Sequence, residues 1–130
     1  MTTDLTAGLV LAVAAAGGLG AATRFFVDGL VRSRTRRVLP AGTILINVTG
    51  SLAIGLLAGA QLWHDLGSTW FAVCAAGFCG GYTTFSTAMV ETVRLARSDE
   101  WRWAVVNALG TLLLCVAAVV VGVGLMWAIA

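Results

Sequence analysis

The stretch GFCGGYTTFST, Gly77 to Thr87, carries three glycines and four threonine or serine hydroxyls in eleven positions of a run that otherwise suits a membrane helix. Each glycine in a helix interior costs ~1 kcal/mol relative to alanine, so Gly80 followed by Gly81 predicts an interruption. Thr83, Thr84, Ser86 and Thr87 follow at once, and a threonine or serine hydroxyl caps a restarting helix. Irregular backbone at membrane depth survives only where it is buried in protein or lines a cavity. Two half-helices would then meet: one ends in carbonyls suited to a cation, the other begins with free N–H groups and a positive dipole end suited to an anion. A broken midplane helix is a transport signature, and the bland alternative is a kinked packing helix. Phe85 sits among the hydroxyls, and the edge of its ring carries partial positive charge that can face an anion. Glu91 is the only acidic residue deep in an apolar run, which makes it a functional-site candidate.

The surroundings of this stretch define the class. The 130 residues are 59% hydrophobic and 11% charged, with mean hydropathy +0.94, far outside the range of a soluble domain. A hydrocarbon core of ~30 Å needs about 20 mostly apolar helical residues, and four runs meet that requirement. The expectation is an all-α membrane protein, one four-span domain over residues 1–130, with spans at about 6–30, 40–62, 69–94 and 103–128 and the third broken near its centre. The start MTTDLTAGLV has no basic segment before its apolar stretch, so the first span reads as retained. Cys74, Cys79 and Cys115 fall inside spans without metal or disulfide spacing and read as small apolar filler, while His64 reads as a surface loop residue.

All eight basic residues are arginine. Seven lie at or beyond span ends, Arg32, Arg34, Arg36 and Arg37 after the first span and Arg94, Arg97 and Arg102 around the third loop. Those two loops share one side, and the opposite side has none. The positive-inside rule places the arginine loops in the cytoplasm and both termini outside it. Trp63, Trp70, Trp101, Trp103 and Trp127 fall at the expected headgroup levels. Arg24 lies inside the first span with Asp28 one turn later, which allows pairing, snorkelling or a direct functional role.

Thr43, Asn47, Ser51, Gly55 and Gly59 recur every four residues and form one small, polar helix face, and Asn107, Thr111 and Cys115 repeat the pattern in the fourth span. Close helix packing accounts for Gly55 and Gly59. Asn47 and Asn107 call for partners in lipid, either a helix-to-helix bond or a hydrated path.

These residues resemble the Fluc (CrcB) fluoride channel family through GGLGAATR in the first span, GTILINVTGS in the second, GFCGGYTTFST with Glu91 in the third and Asn107 in the fourth. The resemblance implies an antiparallel dimer in a bacterial cell membrane and a fluoride-selective passive pore that lowers cytoplasmic fluoride. Fluoride is small and strongly hydrated, so such a pore must replace its water with donors and positive edges. By the same resemblance, Asn47, Ser86 and Thr87 contribute polar lining, Phe85 is one of a phenylalanine pair, and Asn107 and Thr111 lie on the fourth-span track. Glu91 matches a pore-associated glutamate, and the backbone carbonyls of Gly80 and Thr83 match those that hold a structural sodium ion at the dimer centre.

The family motif continues TTFSTF, whereas this chain has Ala88 at the last position, so the second pore phenylalanine is missing. An antiparallel homodimer also needs a chain that inserts both ways, hence balanced loop charge. Seven arginines against none points instead to one half of an antiparallel heterodimer, whose partner has the opposite bias and supplies the second phenylalanine to one complete pore. Three alternatives stand beside this: a small multidrug exporter, which needs a first-span glutamate where this chain has Arg24; a proton-coupled anion exchanger using Glu91; and a non-conducting partner subunit. Enzymatic readings lack parts, since no triad, metal cluster or phosphate loop is present in the sequence.

Overall fold

The computed structural model describes residues 6–35 and 38–130. Arg36 and Arg37 of the arginine count lie outside the described residues. Helix α1, Ala7–Arg34, starts at Thr6, whose hydroxyl accepts from the Leu9 amide at 3.3 Å. It runs four residues past the predicted end of its span, which carries Arg32 beyond the apolar stretch. Helix α2, Ala41–Trp63, begins directly after Pro40, where a missing N–H costs a helix nothing. Helix α3 covers 68–82 and widens into π-helical turns over Ala72–Cys79. Helix α4 is Phe85–Arg97, and α5, Trp101–Ala128, contains a π-helical segment at Val106–Gly110.

Three of these helices, α1, α2 and α5, are long and apolar enough to cross a membrane unbroken. The remaining span is made by α3 and α4 together. The described chain is therefore an all-α membrane protein of four spans with the third interrupted. Its interior is inverted relative to a soluble domain: five buried apolar residues stand beside six buried polar ones, while Phe25, Phe26 and Leu113 face outward. Lipid satisfies the outer surface, and packing with hydrogen bonds holds the inside.

The interruption falls three residues later than Gly80–Gly81. Both glycines remain helical, and the chain extends at Thr83 (φ −79°, ψ 159°) and Thr84 (φ −149°, ψ 119°). The physical reason is packing. A side chain on Gly81 would strike the backbone carbonyl of Gly17, and one on Gly20 would strike that of Phe78, so α1 and α3 cross with their backbones nearly in contact. Gly80 faces away from this crossing, and a Cβ there would come no nearer than 3.9 Å to the Ala75 carbonyl. On the other side of the bundle, Gly55 and Gly59 seat against Val119 and Met126, and Gly122 of α5 seats against Leu52 and Leu56. The α2 glycines thus do the packing that their spacing implies.

Arg32 and Arg94 come together at one end of the bundle, where both line a single cavity. At the opposite end, the His64 ring lies 3.0 Å from the Met126 carbonyl. The two arginine-bearing connections therefore share one side.

Candidate functional site

The break is held by three side chains from three directions. In an unbroken helix the Thr84 amide would donate to the Gly80 carbonyl. Here it donates to Asn47 Oδ1 at 2.8 Å, and Asn47 Nδ2 donates back to the Thr84 carbonyl at 2.9 Å. One buried carboxamide from α2 thereby satisfies both backbone groups of the extended residue, as a membrane interior demands. The Thr84 hydroxyl caps α4, accepting from the Thr87 amide at 3.2 Å and donating to Thr87 Oγ1 at 3.0 Å. The sequence-based expectation of a threonine cap therefore holds at Thr84.

The third support is Arg24, whose Nη1 donates to the Thr83 carbonyl at 3.2 Å. The expectation that it could pair with Asp28 is corrected. Asp28 pairs instead with Arg32 at 2.8 Å, and this order, acid four residues before base, is the one that the helix dipole favours. Asp28 has an arginine one turn away on either side, and spacing alone does not choose between them.

Beside the break, a groove of about 260 Å³ opens between α2, α4 and α5. It gathers Asn47, Phe85, Asn107 and Thr111, four of the predicted pore residues, with Ser51 and Ala88. Asn107 sits in the π-helical turn of α5, a distortion frequent at functional sites, and donates to Thr92 Oγ1 at 2.8 Å and the Ala88 carbonyl at 3.4 Å. The two asparagines do not bond each other; each ties its helix to the third span while lining the groove. Thr111 Oγ1 is buried without a partner. Phe85 is 78% exposed, so its ring stands at the open side of the groove rather than in the subunit's core.

The other predicted residues lie elsewhere. Thr87 lines a second cavity of about 350 Å³ with Arg24, Asp28, Thr43 and Thr84. Glu91 lines a third, about 230 Å³, at the arginine end, where its Oε1 receives Arg32 Nη2 at 3.1 Å. Ser86 is exposed, with Oγ 3.4 Å from Thr84 Oγ1. Gly80 is exposed as well, and its carbonyl has lost the Thr84 amide to Asn47. Sequence reasoning missed the Asn47–Thr84 clamp, the reach of Arg24 to the break and the Asp28–Arg32–Glu91 triad. The Asp28–Arg32 spacing is the one available signal for the last.

Four spans, a third divided at its centre and a polar groove lined by asparagine, threonine and phenylalanine define an ion-conducting membrane protein. Residues 11–123 match the family described as CrcB-like protein, Camphor Resistance (CrcB), and the chain belongs to it. It is 47% identical over 121 residues to "Fluoride-specific ion channel FluC 1" of Leifsonia xyli subsp. xyli, covering 93% of this chain and 88% of that one. It is 42% identical over 117 residues to "Fluoride-specific ion channel FluC 2" of Cutibacterium acnes, covering 89% and 95%. With "Fluoride-specific ion channel FluC" of Thermococcus gammatolerans it shares 39% over 119 residues, covering 91% and 95%.

Proposed function

We propose that this chain is a pore-forming subunit of a passive fluoride channel in a bacterial cell membrane, exporting fluoride from the cytoplasm. The observation that carries this is the groove at the break, where carboxamides, a free threonine hydroxyl and an aromatic ring line a space bounded by otherwise apolar helices. The unpartnered Thr111 hydroxyl and the Phe85 ring offer what a dehydrated small anion needs, while Asn47 fixes the backbone beside them and Asn107, its amide hydrogens spent on Thr92 and Ala88, fixes α5 against α4. The channel names of the relatives agree with it.

The open flank of the groove supports an assembly of two subunits. With its exposed Phe85, the groove lacks a wall on one side, and an opposed second subunit would provide one. Ala88, where the resemblance expects phenylalanine, and the one-sided arginines favour an antiparallel heterodimer with these arginine loops in the cytoplasm. Ser86, Thr87 and Glu91 would then act at the approaches rather than in the groove itself. For the sodium ion that the resemblance implies, exposed Gly80 and half-buried Thr83 would supply two backbone carbonyls beside the break, so one chain can hold half a site. The Gly80 carbonyl fits that role. The Thr83 carbonyl already accepts from Arg24, which leaves it one lone pair to share.

A non-conducting subunit is the second reading, favoured by Ala88, which is buried and hydrogen-bonded to Asn107 through its carbonyl. Efflux of fluoride, with chloride as comparison, from liposomes holding this chain alone or with a partner of opposite arginine bias separates the possibilities. Flux only with the partner supports the heterodimer. Replacing Phe85 by alanine in that pair should lower flux roughly tenfold, the scale of removing one well-placed favourable contact. Undiminished flux after that change would assign the pore to the partner and leave this chain as support.

A further inference from the structure

The three cavities are arranged in series. Thr84 belongs to the walls of both the groove and the second cavity, and Asp28 to the walls of both the second and the third. The cavities therefore adjoin at Thr84 and at Asp28 between the break and the arginine end, and Arg24, Arg32 and Arg94 line the outer two. At the outermost position Arg32 bridges two carboxylates, Asp28 at 2.8 Å and Glu91 at 3.1 Å. Each carboxylate uses one oxygen on this guanidinium, and each has its other oxygen, Asp28 Oδ1 and Glu91 Oε2, buried without a partner. The Glu91 side chain is 10% exposed and that of Arg32 58%, so an ion arriving from outside meets the guanidinium before the buried acid.

We propose that Arg32 sets the rate at which anions pass the arginine-rich mouth, by offsetting the negative charge of Asp28 and Glu91 at the head of a polar route that leads past Arg24 to the helix break. The inference rests on the fluoride-pore reading. Two negative groups beside one positive group leave this mouth barely permissive to an anion, and removing the positive group leaves both acids uncompensated where an anion would enter. Arg32 does not line the groove and bonds to Asp28 and Glu91, which do not line it either, so its effect is electrostatic and positional, at the approach rather than in the narrow part of the pore. Arg94 lines the same cavity and adds positive charge without an ion pair among the described residues.

Fluoride efflux from liposomes containing the assembled channel tests this. Arg32→Gln should slow efflux about tenfold or more, within the range over which local charge changes the arrival of ions. Arg32→Lys keeps the charge and loses the fork-shaped bridge, and it should retain most of the rate. Asp28→Asn combined with Arg32→Gln restores the original charge of the triad while leaving Glu91 in place, and should recover efflux. A merely structural brace predicts the reverse, since neither variant rebuilds the bridge. Equal losses in Arg32→Lys and Arg32→Gln, or unchanged efflux in Arg32→Gln, would overturn the proposal while leaving the pore reading intact. Should Arg32→Gln fail to assemble, the other two variants decide the matter, because both keep the charge and both must conduct. Absence of fluoride flux from the unaltered assembly would instead remove the pore reading and this inference with it.

Discussion

Asn47→Leu is expected to abolish fluoride flux and to destabilise the subunit, whereas Asn47→Asp should abolish flux and leave most of the fold standing. Leucine removes both hydrogen bonds to Thr84 and leaves the N–H and carbonyl of this buried residue without their partners. Each buried unsatisfied backbone group costs about 1–3 kcal/mol in protein interiors, and more in a bilayer, so the loss is on the order of 2–6 kcal/mol. The chain has one escape. The Thr84 amide can return to the Gly80 carbonyl, which would close the break and turn the third span toward a continuous helix. Closing the break would take Thr83, Thr84 and the α4 terminus out of the groove wall. Aspartate keeps an acceptor for the Thr84 amide and so preserves one of the two bonds, but it sets a negative charge beside the anion's path. Efflux assays, with hydrogen exchange at the Thr84 amide, separate the two: fast exchange for leucine, retained protection for aspartate. Efflux near the unaltered rate in Asn47→Leu would show that the clamp is dispensable.

Much of this arrangement is legible in the residues alone, because a bilayer restricts what a chain can do. Hydropathy locates four spans, and the hydroxyl cluster locates a restarting helix, since few other uses of consecutive threonines exist at that depth. The glycine pair misplaces the break by three residues. Glycine weakens a helix and also lets two helices touch, and nothing in a single strand of sequence says which use is made; Gly17 and Gly20, far away in the sequence, decide it for Gly81 and Phe78. Arg24 stays undecided in the sequence for a similar reason. Its nearest acid is taken by Arg32, and its actual partner is a backbone carbonyl, which leaves no mark on a sequence. Asn47 is visible as a buried carboxamide in need of partners. That both partners would be one residue's backbone follows only from how α2 lies against the break. Glu91 is visible as an intramembrane acid, yet its place at the arginine end, apart from the groove, depends on α1 continuing as a helix far enough to bring Arg32 across.

Gly81→Val is expected to prevent α1 and α3 from packing, while Gly80→Ala should leave the subunit's fold unharmed. At position 81 the first atom of any side chain meets the backbone carbonyl of Gly17 and the atoms bonded to it. A flexible side chain could move aside; a helix backbone moves only by separating the two helices. Overpacking of well-fitted cores costs typically about 1–3 kcal/mol where side chains can yield, and this site, with backbone on both sides, belongs at or above the upper end. Association of helices in lipid has no hydrophobic drive to offset such a separation, because close van der Waals packing between the two helices is itself what holds the pair. The added distance would also carry the Thr83 carbonyl away from Arg24 and loosen the break from that side. At position 80 the nearest obstruction to a Cβ is 3.9 Å away, and alanine is the better helix former by about 0.5–1 kcal/mol, so the same elementary change has opposite expected signs at adjacent residues. Thermal unfolding of the detergent-solubilised protein, followed by size-exclusion chromatography, measures both. A marked fall in the midpoint for Gly81→Val with none for Gly80→Ala supports a crossing built on direct backbone approach. A comparable fall for both would mean that the glycine pair is needed for its conformational freedom at the break, and that the contact with Gly17 is incidental.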